Sequence, residues 1–454
     1  MRQLNEKKIW FSNLPEDWSF RRIKAIVSSN DGGVWGDDCH DQEGVGVLRS
    51  NEITQDGKWA IADPAIRLLS AHEAESRRLV KDDILLVKSS GSKEHIGKTA
   101  IVDTTVEKGN FCFSNFTQRL RPISHLLFGK FLWYILNNSP GRDELFYYGT
   151  TTTGLINLSG SNLGRVIVPL PPLLEQKRIV AYLDASCAAI DRAVETKQKQ
   201  LDTLDALRKS IITPAVLSGI TPNKQFQNID NPWLNQIPEG WKLVSLKRVS
   251  EIQSGITLGK IYDGSLVERP YLRAANVQDG YLDLDKITTI ELPENLISRY
   301  ELQAGDVLMT EGGDLDKLGR GFLWEGQIEG CLHQNHVFAI RTVPRLLLPE
   351  FLTYLTTSRF GRDYFEATGK RTTNLASTNS TKVGLLPVPL PRIDEQREIV
   401  DHLDRQLKQT KAIEETIASQ IATIMAYRKS LIHECVTGKR RISDADVAKV
   451  EAYV

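Results

Sequence analysis

The chain has 454 residues, 41% hydrophobic and 25% charged, which excludes a disulfide-stapled miniprotein and wholesale disorder and leaves room for two or three domains with cores of their own. Lys plus Arg and Asp plus Glu number 57 each, so no bulk charge draws the chain to phosphate polymers or acidic membranes, and any nucleic-acid contact must rest on local sites. No run reaches the roughly 18 apolar residues of a membrane span and the start MRQLNEKKIW has no apolar signal core, so a cytoplasmic protein is expected. The scattered cysteines, Cys39, Cys112, Cys187, Cys331 and Cys435, suit reduced thiols and imply no disulfide framework.

In chain order, residues 1–170 mix short β-branched runs such as AIVDTTV (Ala100–Val106) with frequent Gly and an apolar helical patch, LLFGKFLWYILNN (Leu126–Asn138), which reads as α+β. A Pro-rich stop, PLPP, precedes a stretch without Pro or Gly from Leu173 to Thr213, which predicts a long helix. Along it Leu183, Cys187, Ile190, Val194, Lys197, Leu201, Leu204, Arg208 and Ile211 fall at alternating steps of four and three, a heptad seam. Residues 222–390 are again mixed, with GDVLMTE and HVFAIRTV as strand-like runs. PLPR then leads into a second predicted helix from Ile393 to Thr437, whose seam is Leu403, Leu407, Thr410, Glu414, Ile417, Ile421, Ile424, Arg428 and Leu431. Each of these lies 220 positions after its counterpart.

The chain is therefore two copies of one unit. WFSNLPEDWSFRRIK (Trp10–Lys24) matches WLNQIPEGWKLVSLK (Trp233–Lys247), and VLRSNEI matches YLRAANV. KDDILLVKSSG matches AGDVLMTEGGD with Asp83 on Asp306, and the Gly-Arg-Asp triplets at Gly141 and Gly361 superpose. VPLPPLLEQKRIVAYLD (Val168–Asp184) matches VPLPRIDEQREIVDHLD (Val388–Asp404). Between these islands, GGVWGDDCHDQEGVG and SGITLGKIYDGSLVERP share almost nothing, as two recognition surfaces on one scaffold would, or as loops drifting after duplication would. Two matching seams favour pairing of the helices with each other, each roughly 60 Å long. Connectivity favours an antiparallel coiled coil, with a globular domain at each end and an approximate two-fold axis between them. Such a molecule fits duplex DNA carrying two half-sites, and because the heads differ the half-sites should differ too.

With these features in place, the order of divergent domain, LPLPxxxEQxxIVxxLD-type helix, second divergent domain and second such helix resembles the specificity subunit of type I restriction–modification systems. The resemblance covers essentially the whole chain. It rests also on the RKS-containing helix ends at Arg208 and Arg428, the LPEDW and IPEGW entries, and EGGDLDKLGRG followed by HQNHVFAIR. It implies target recognition domains at 1–170 and 222–390, conserved helical spacers at 171–221 and 391–438, and a C-terminal tail at 439–454. It further implies double-stranded DNA as ligand, helices that act as a ruler and dock two methyltransferase subunits, and restriction subunits carrying an ATP-dependent motor and nuclease. The first half departs from the second, with SSGSKEHIGKTAIV in place of EGGDLDKLGRGFLW and FCFSNF in place of CLHQNH, so those loops carry over less directly to the first domain.

Three places in each copy offer the donors that DNA contacts need. The first is Lys88, Ser89, Ser90, Gly91, Lys93, His95 and Lys98, with Gly312, Gly313, Lys317 and Arg320 in the second copy; a solvated hairpin loop would look the same. The second is Arg142 and Arg362 of the Gly-Arg-Asp triplets, where a structural turn is the competing reading. The third is Gly149, Thr150, Thr151, Thr152 and Thr153, with Gly369, Lys370, Arg371, Thr372 and Thr373, whose glycine, hydroxyls and cations suit phosphate oxygens. Gln334 and Asn335 could read adenine edges or satisfy backbone groups. Cys331, His333 and His336 lack a fourth zinc ligand at short spacing, and the residues taken as equivalent in the first copy, Cys112, Ser114 and Phe116, include no histidine, so no metal and no cofactor is expected.

Catalytic motifs are missing. Asn231-Pro232-Trp233 falls short of the Asn/Asp-Pro-Pro-aromatic motif of an adenine methyltransferase, and no GxxxxGK[ST] loop exists for ATP. Glu175 and Glu395 stand at helix starts, where acidic residues complement the dipole, and read as structural or partner-docking. A non-catalytic DNA-reading subunit is the expectation; a self-contained nuclease with an unrecognised site is the alternative, and a coiled-coil scaffold that binds no nucleic acid a third.

Overall fold

The computed structural model describes residues 14–39, 44–92, 94–152, 155–278, 281–313, 318–319, 321–371 and 376–452. The chain divides into two compact units, Met1–Lys197 with Ser419–Val454, and Gln198–Ala418, so each unit contains part of both long helices.

In the first unit, strands Val27–Gly32, Thr117–Pro122, Ile84–Val87 and Thr99–Ile101 form an antiparallel sheet in that order. The β-branched and leucine-rich run Ile84–Val87 is fully buried, as a central strand covered on both faces must be. A second four-stranded sheet has the order Asp37–Asp38, Ala65–Leu68, Val45–Leu48, Cys112–Phe113, and Ser19–Arg22 pairs with Ile167–Leu170. Helix Gly129–Asn137 buries Phe131, Leu132, Ile135 and Leu136 against the core. The second unit repeats this plan with Ser250–Ser254, Val337–Thr342, Val307–Thr310 and Gly321–Leu323, with Lys242–Ser245 on Pro387–Leu390, and with helix Pro349–Thr357. The expected α+β class and internal repeat are both present.

The long helices run Leu173–Ser218 and Ile393–Val436. The first continues past Thr213, where Pro214 was expected to stop it. A proline costs a helix the bond to the carbonyl four residues back, but here Ile212, Ala215 and Val216 are buried in the core of the second unit, and that burial carries the last turn. Every seam position in both helices is buried or half-buried. In the first unit Leu183, Cys187 and Ile190, near the start of one helix, pack with Leu431, Ile432 and Cys435, near the end of the other. Arg428 pairs with Asp191 at 3.4 Å, and Lys197 Nζ donates to Gln420 Oε1 at 2.6 Å. In the second unit Ile212 and Val216 share a core with Ile399, Leu403 and Leu407. Within each unit the two helical segments are thus antiparallel, and in the first unit the polar seam residues Lys197 and Arg428 meet polar partners, which fixes register there.

Side-chain clasps occur in duplicate. Gln176 Oε1 accepts from Phe128 N (2.8 Å) while its amide donates to Leu126 O and Pro171 O (both 2.9 Å); Gln396 does the same with Leu348 N (2.9 Å), Leu346 O (2.8 Å) and Pro391 O (3.0 Å). Arg121 grips the buried Asp83 through two bonds of 2.7 Å, and Arg341 grips Asp306 at 2.9 and 2.8 Å. Gly33 and Gly255 begin the two dissimilar loops, yet they share one reason for being glycine. A Cβ on Gly33 would lie 2.1 Å from Phe113 O, and one on Gly255 2.1 Å from His333 O.

Candidate nucleic-acid interface

Strand pairing unites two of the three candidate places. In the first unit a small antiparallel sheet has the order Thr150–Thr152, Leu155–Asn157, Ser89–Ser90, with Ile156 opposite Ser90 and Asn157 opposite both Ser89 and Thr150. Ser89 Oγ donates to Asn157 Oδ1 at 2.8 Å and Thr150 Oγ1 to Asn157 O at 3.2 Å. Gly149 ends the preceding turn, its N–H on Phe146 O at 3.0 Å. In the second unit the equivalent sheet is Gly312–Gly313, Ala376–Ser377, Lys370–Arg371, with Ser377 opposite both Gly312 and Lys370. Lys370 and Arg371 are exposed, Arg371 lying 3.6 Å from Glu366, and Gly369 donates to Phe365 O at 2.9 Å. One sheet thus presents hydroxyls in one unit and cations in the other. Gly91 is exposed on the turn that leaves Ser89–Ser90, and His95 approaches Gln55 at 3.3 Å.

Other candidates turn inward. Lys98 is 5% exposed, and its ammonium donates to Ser50 O (3.1 Å) and Ile53 O (2.5 Å), which sets it apart from the surface cations. Arg142 donates to Glu94 O at 3.0 Å and Arg362 to Leu318 O at 3.4 Å, so each Gly-Arg-Asp arginine holds the backbone of the loop that leaves its small sheet. Burial lowers the Arg142 pKa from its ordinary value. The triplet glycines are packing residues as well. A Cβ on Gly141 would meet Ile135 O at 1.9 Å and one on Gly361 would meet Leu355 O at 2.5 Å, while Asn138 and Ser358 cap the helices that follow.

Gln334 and Asn335 are half-buried; their backbones donate to Leu272 O (2.8 Å) and Ile256 O (2.9 Å), and the second bond ties Asn335 to the dissimilar loop after Ser254. His333 is fully buried, with Nδ1 2.6 Å from Val337 O, and burial depresses its pKa. Its counterpart is Phe113, because Cys112–Phe113 pairs with Val47–Leu48 as Leu332–His333 pairs with Tyr271–Leu272. This corrects by one position the equivalence of Cys112 with Cys331 and Ser114 with His333. His336 instead pairs with Glu311 at 2.7 Å. No group of three or more metal-ligating side chains occurs among the described residues. Lys93, Thr153, Lys317, Arg320, Thr372 and Thr373 lie outside the described residues, and for Thr151 and Thr152 only the backbone strand is described.

Glu175 and Glu395, the carboxylates weighed for a hidden nuclease, are engaged elsewhere. Glu175 accepts from Trp18 Nε1 at 3.0 Å and from Arg441 at 2.7 and 3.1 Å, while Glu395 accepts from Trp241 Nε1 at 3.0 Å and pairs with Lys224. Sequence reasoning placed these acidic residues at helix starts but not on the paired tryptophans, although the Trp of LPEDW and IPEGW was a matched signal.

A duplicated α+β scaffold, each unit carrying antiparallel segments of the long helices and its own divergent polar sheet, defines the class of duplicated recognition proteins. The family described as type I restriction modification DNA specificity domain matches residues 15–204 and 238–423, and the chain belongs to that family of non-catalytic specificity subunits. It is 24% identical over 435 residues to the type I restriction enzyme EcoKI specificity subunit of Escherichia coli (strain K12), covering 94% of this chain and 90% of that one. It is 24% identical over 459 residues to the MjaVIII specificity subunit of Methanocaldococcus jannaschii, covering 97% of each. A chain from a structure concerned with complex assembly of the type I R-M system shares the fold with a TM-score of 0.58 at 16% identity, covering 94% of this chain and 99% of that one. No helix among the described residues is long and apolar enough to cross a membrane.

Proposed function

We propose that this chain directs a type I restriction–modification complex to an asymmetric, bipartite DNA site. Residues 1–170 and 222–390 each read one half-site; residues 171–221 and 391–438 set the spacing and dock two methyltransferase subunits; 439–454 form a tail. Restriction subunits join that assembly, which works in the cytoplasm. The small sheet supports this reading most directly: one backbone arrangement recurs in both units with Ser89, Ser90 and Thr150 in one and Gly312, Gly313, Lys370 and Arg371 in the other. One scaffold with two polar faces is what two unlike half-sites require. Because the net charge is zero, most of the non-specific attraction to DNA must come from partner subunits.

The test is methylation mapping of DNA exposed to the chain assembled with its methyltransferase subunits. A split motif modified on both strands is expected, and exchange of residues 1–170 for another member's first domain should alter one half only. Modification without a split motif, or change in both halves, would refute the reading. DNA cleavage by the purified chain with magnesium alone would favour the nuclease.

A further inference from the structure

Beside each small sheet the two units place opposite charges in the same seat. Lys88 N donates to Phe116 O at 3.0 Å and Lys88 O accepts from Leu158 N at 2.7 Å; Glu311 N donates to His336 O at 2.9 Å and Glu311 O accepts from Thr378 N at 2.8 Å. The backbones match bond for bond, so Lys88 corresponds to Glu311 and Phe116 to His336. Both seats directly precede the sheet strands Ser89–Ser90 and Gly312–Gly313.

The side chains are held differently. Lys88 Nζ lies over Gly32, where a Cβ would come within 2.7 Å of it and 3.6 Å of Gln118 Oε1. Lys88 is half-buried, no carboxylate among the described residues pairs with it, and burial alone lowers its pKa. An ammonium stripped of part of its hydration and given no counter-charge is short of an acceptor. Glu311 Oε2 sits 2.7 Å from His336 Nδ1 and the glutamate side chain is 31% exposed, so the carboxylate is oriented while partly open to solvent. The major groove offers complements to both: guanine presents the acceptors O6 and N7, whereas cytosine and adenine present exocyclic amino donors.

We infer that Lys88 and Glu311 are base-reading residues of opposite sense, Lys88 donating to the acceptor edge of a guanine in one half-site and Glu311, positioned by His336, accepting from an exocyclic amino group in the other. The inference rests on the DNA-reading role proposed above. In the test, the full chain assembled with its methyltransferase subunits selects from a duplex library randomised across both half-sites. Lys88→Gln should lose guanine preference at one position of one half-site by about tenfold, and Glu311→Gln should change preference at one position of the other. Lys88→Arg, which keeps donors for guanine, should retain the preference. Should Lys88→Gln fail to assemble, Gly32→Ala displaces the ammonium without removing it and should disturb the same position. Variants that weaken binding to all sequences alike while keeping every base preference overturn the inference and leave Lys88 and Glu311 as phosphate-facing or packing residues. An unaltered chain that selects no split motif overturns the DNA-reading role as well, so the two failures are distinguishable.

Discussion

Trp18 Nε1 donates to Glu175 at 3.0 Å across 157 positions of sequence, and Trp241 Nε1 donates to Glu395 at the same distance across 154. Each pair ties the entry of a recognition domain to the start of a long helix. The bond explains why the Pro-Glu-x-Trp entry and the Glu-Gln dipeptide recur together: the glutamate receives the indole, and the neighbouring glutamine closes three backbone groups that the turn into the helix would leave unpaired.

Glu175→Ala should destabilise the first unit by about 2–4 kcal/mol, because it strands the buried Trp18 N–H and removes one of the two carboxylates, Glu175 and Asp17, that hold Arg441. Thermal unfolding measures it, and Glu395→Ala should produce a comparable loss. A shift too small to resolve would show that water replaces the carboxylate without cost.

Asp83 and Asp306 are almost wholly enclosed, and each also accepts a backbone N–H, from Val80 at 3.0 Å and Gln303 at 2.8 Å. Asp83→Ala and Asp306→Ala should each cost about 2–3 kcal/mol, because the charge-assisted bonds and a backbone N–H acceptor are lost while the arginine left behind can turn to water. Denaturant titration of either variant against its Arg→Ala partner and the double variant gives the coupling; additive losses would contradict the pairing.

Lys370 and Arg371 are exposed on their sheet, whereas Arg142 spends its guanidinium on Glu94 O. Lys370→Ala and Arg371→Ala should each reduce the slope of log affinity against log salt by about 1 in the assembled complex. Arg142→Ala should weaken binding through loop displacement with the slope unchanged. A reduced slope for Arg142→Ala would place it on a phosphate instead.

His333 is buried with its pKa held below the usual imidazole value of about 6.5 by desolvation. Above that pH the folded and unfolded forms both carry a neutral ring, and stability does not depend on its titration. As pH falls below about 6.5 the unfolded chain takes up a proton that the folded chain resists, so stability is lost. His333→Phe, which installs the residue of the equivalent Phe113 seat, should lie within about 1 kcal/mol of the unaltered chain at pH 7.5 and lose less stability by pH 5.5. Equal losses in both proteins would show that the folded chain takes up the proton at His333 as readily as the unfolded one.

Features that repeat or recur with a period are legible in the sequence. The duplication, the heptad seams from Leu183 to Ile211 and Leu403 to Leu431, and the α+β character follow from spacing along one chain, because helix geometry converts spacing directly into a face. Even there Pro214 misled, since tertiary burial of Ile212 and Val216 outweighed a local stop signal.

The amino-acid sequence alone determined that one scaffold is used twice, on helices built to pair, with its differences gathered in polar loops. The tertiary structure decided which polar residues remain available to a ligand. Strand pairing brought Ser89 and Ser90 into one sheet with Thr150 through Asn157, long-range contacts drew Lys98, Arg142 and Glu175 onto interior partners, and side-chain packing left Lys88 without a carboxylate partner among the described residues while Glu311 met His336. Those outcomes depend on pairings between residues tens to hundreds of positions apart, and a side chain's type does not reveal whether its nearest acceptor will be a buried carbonyl or a ligand arriving from solvent.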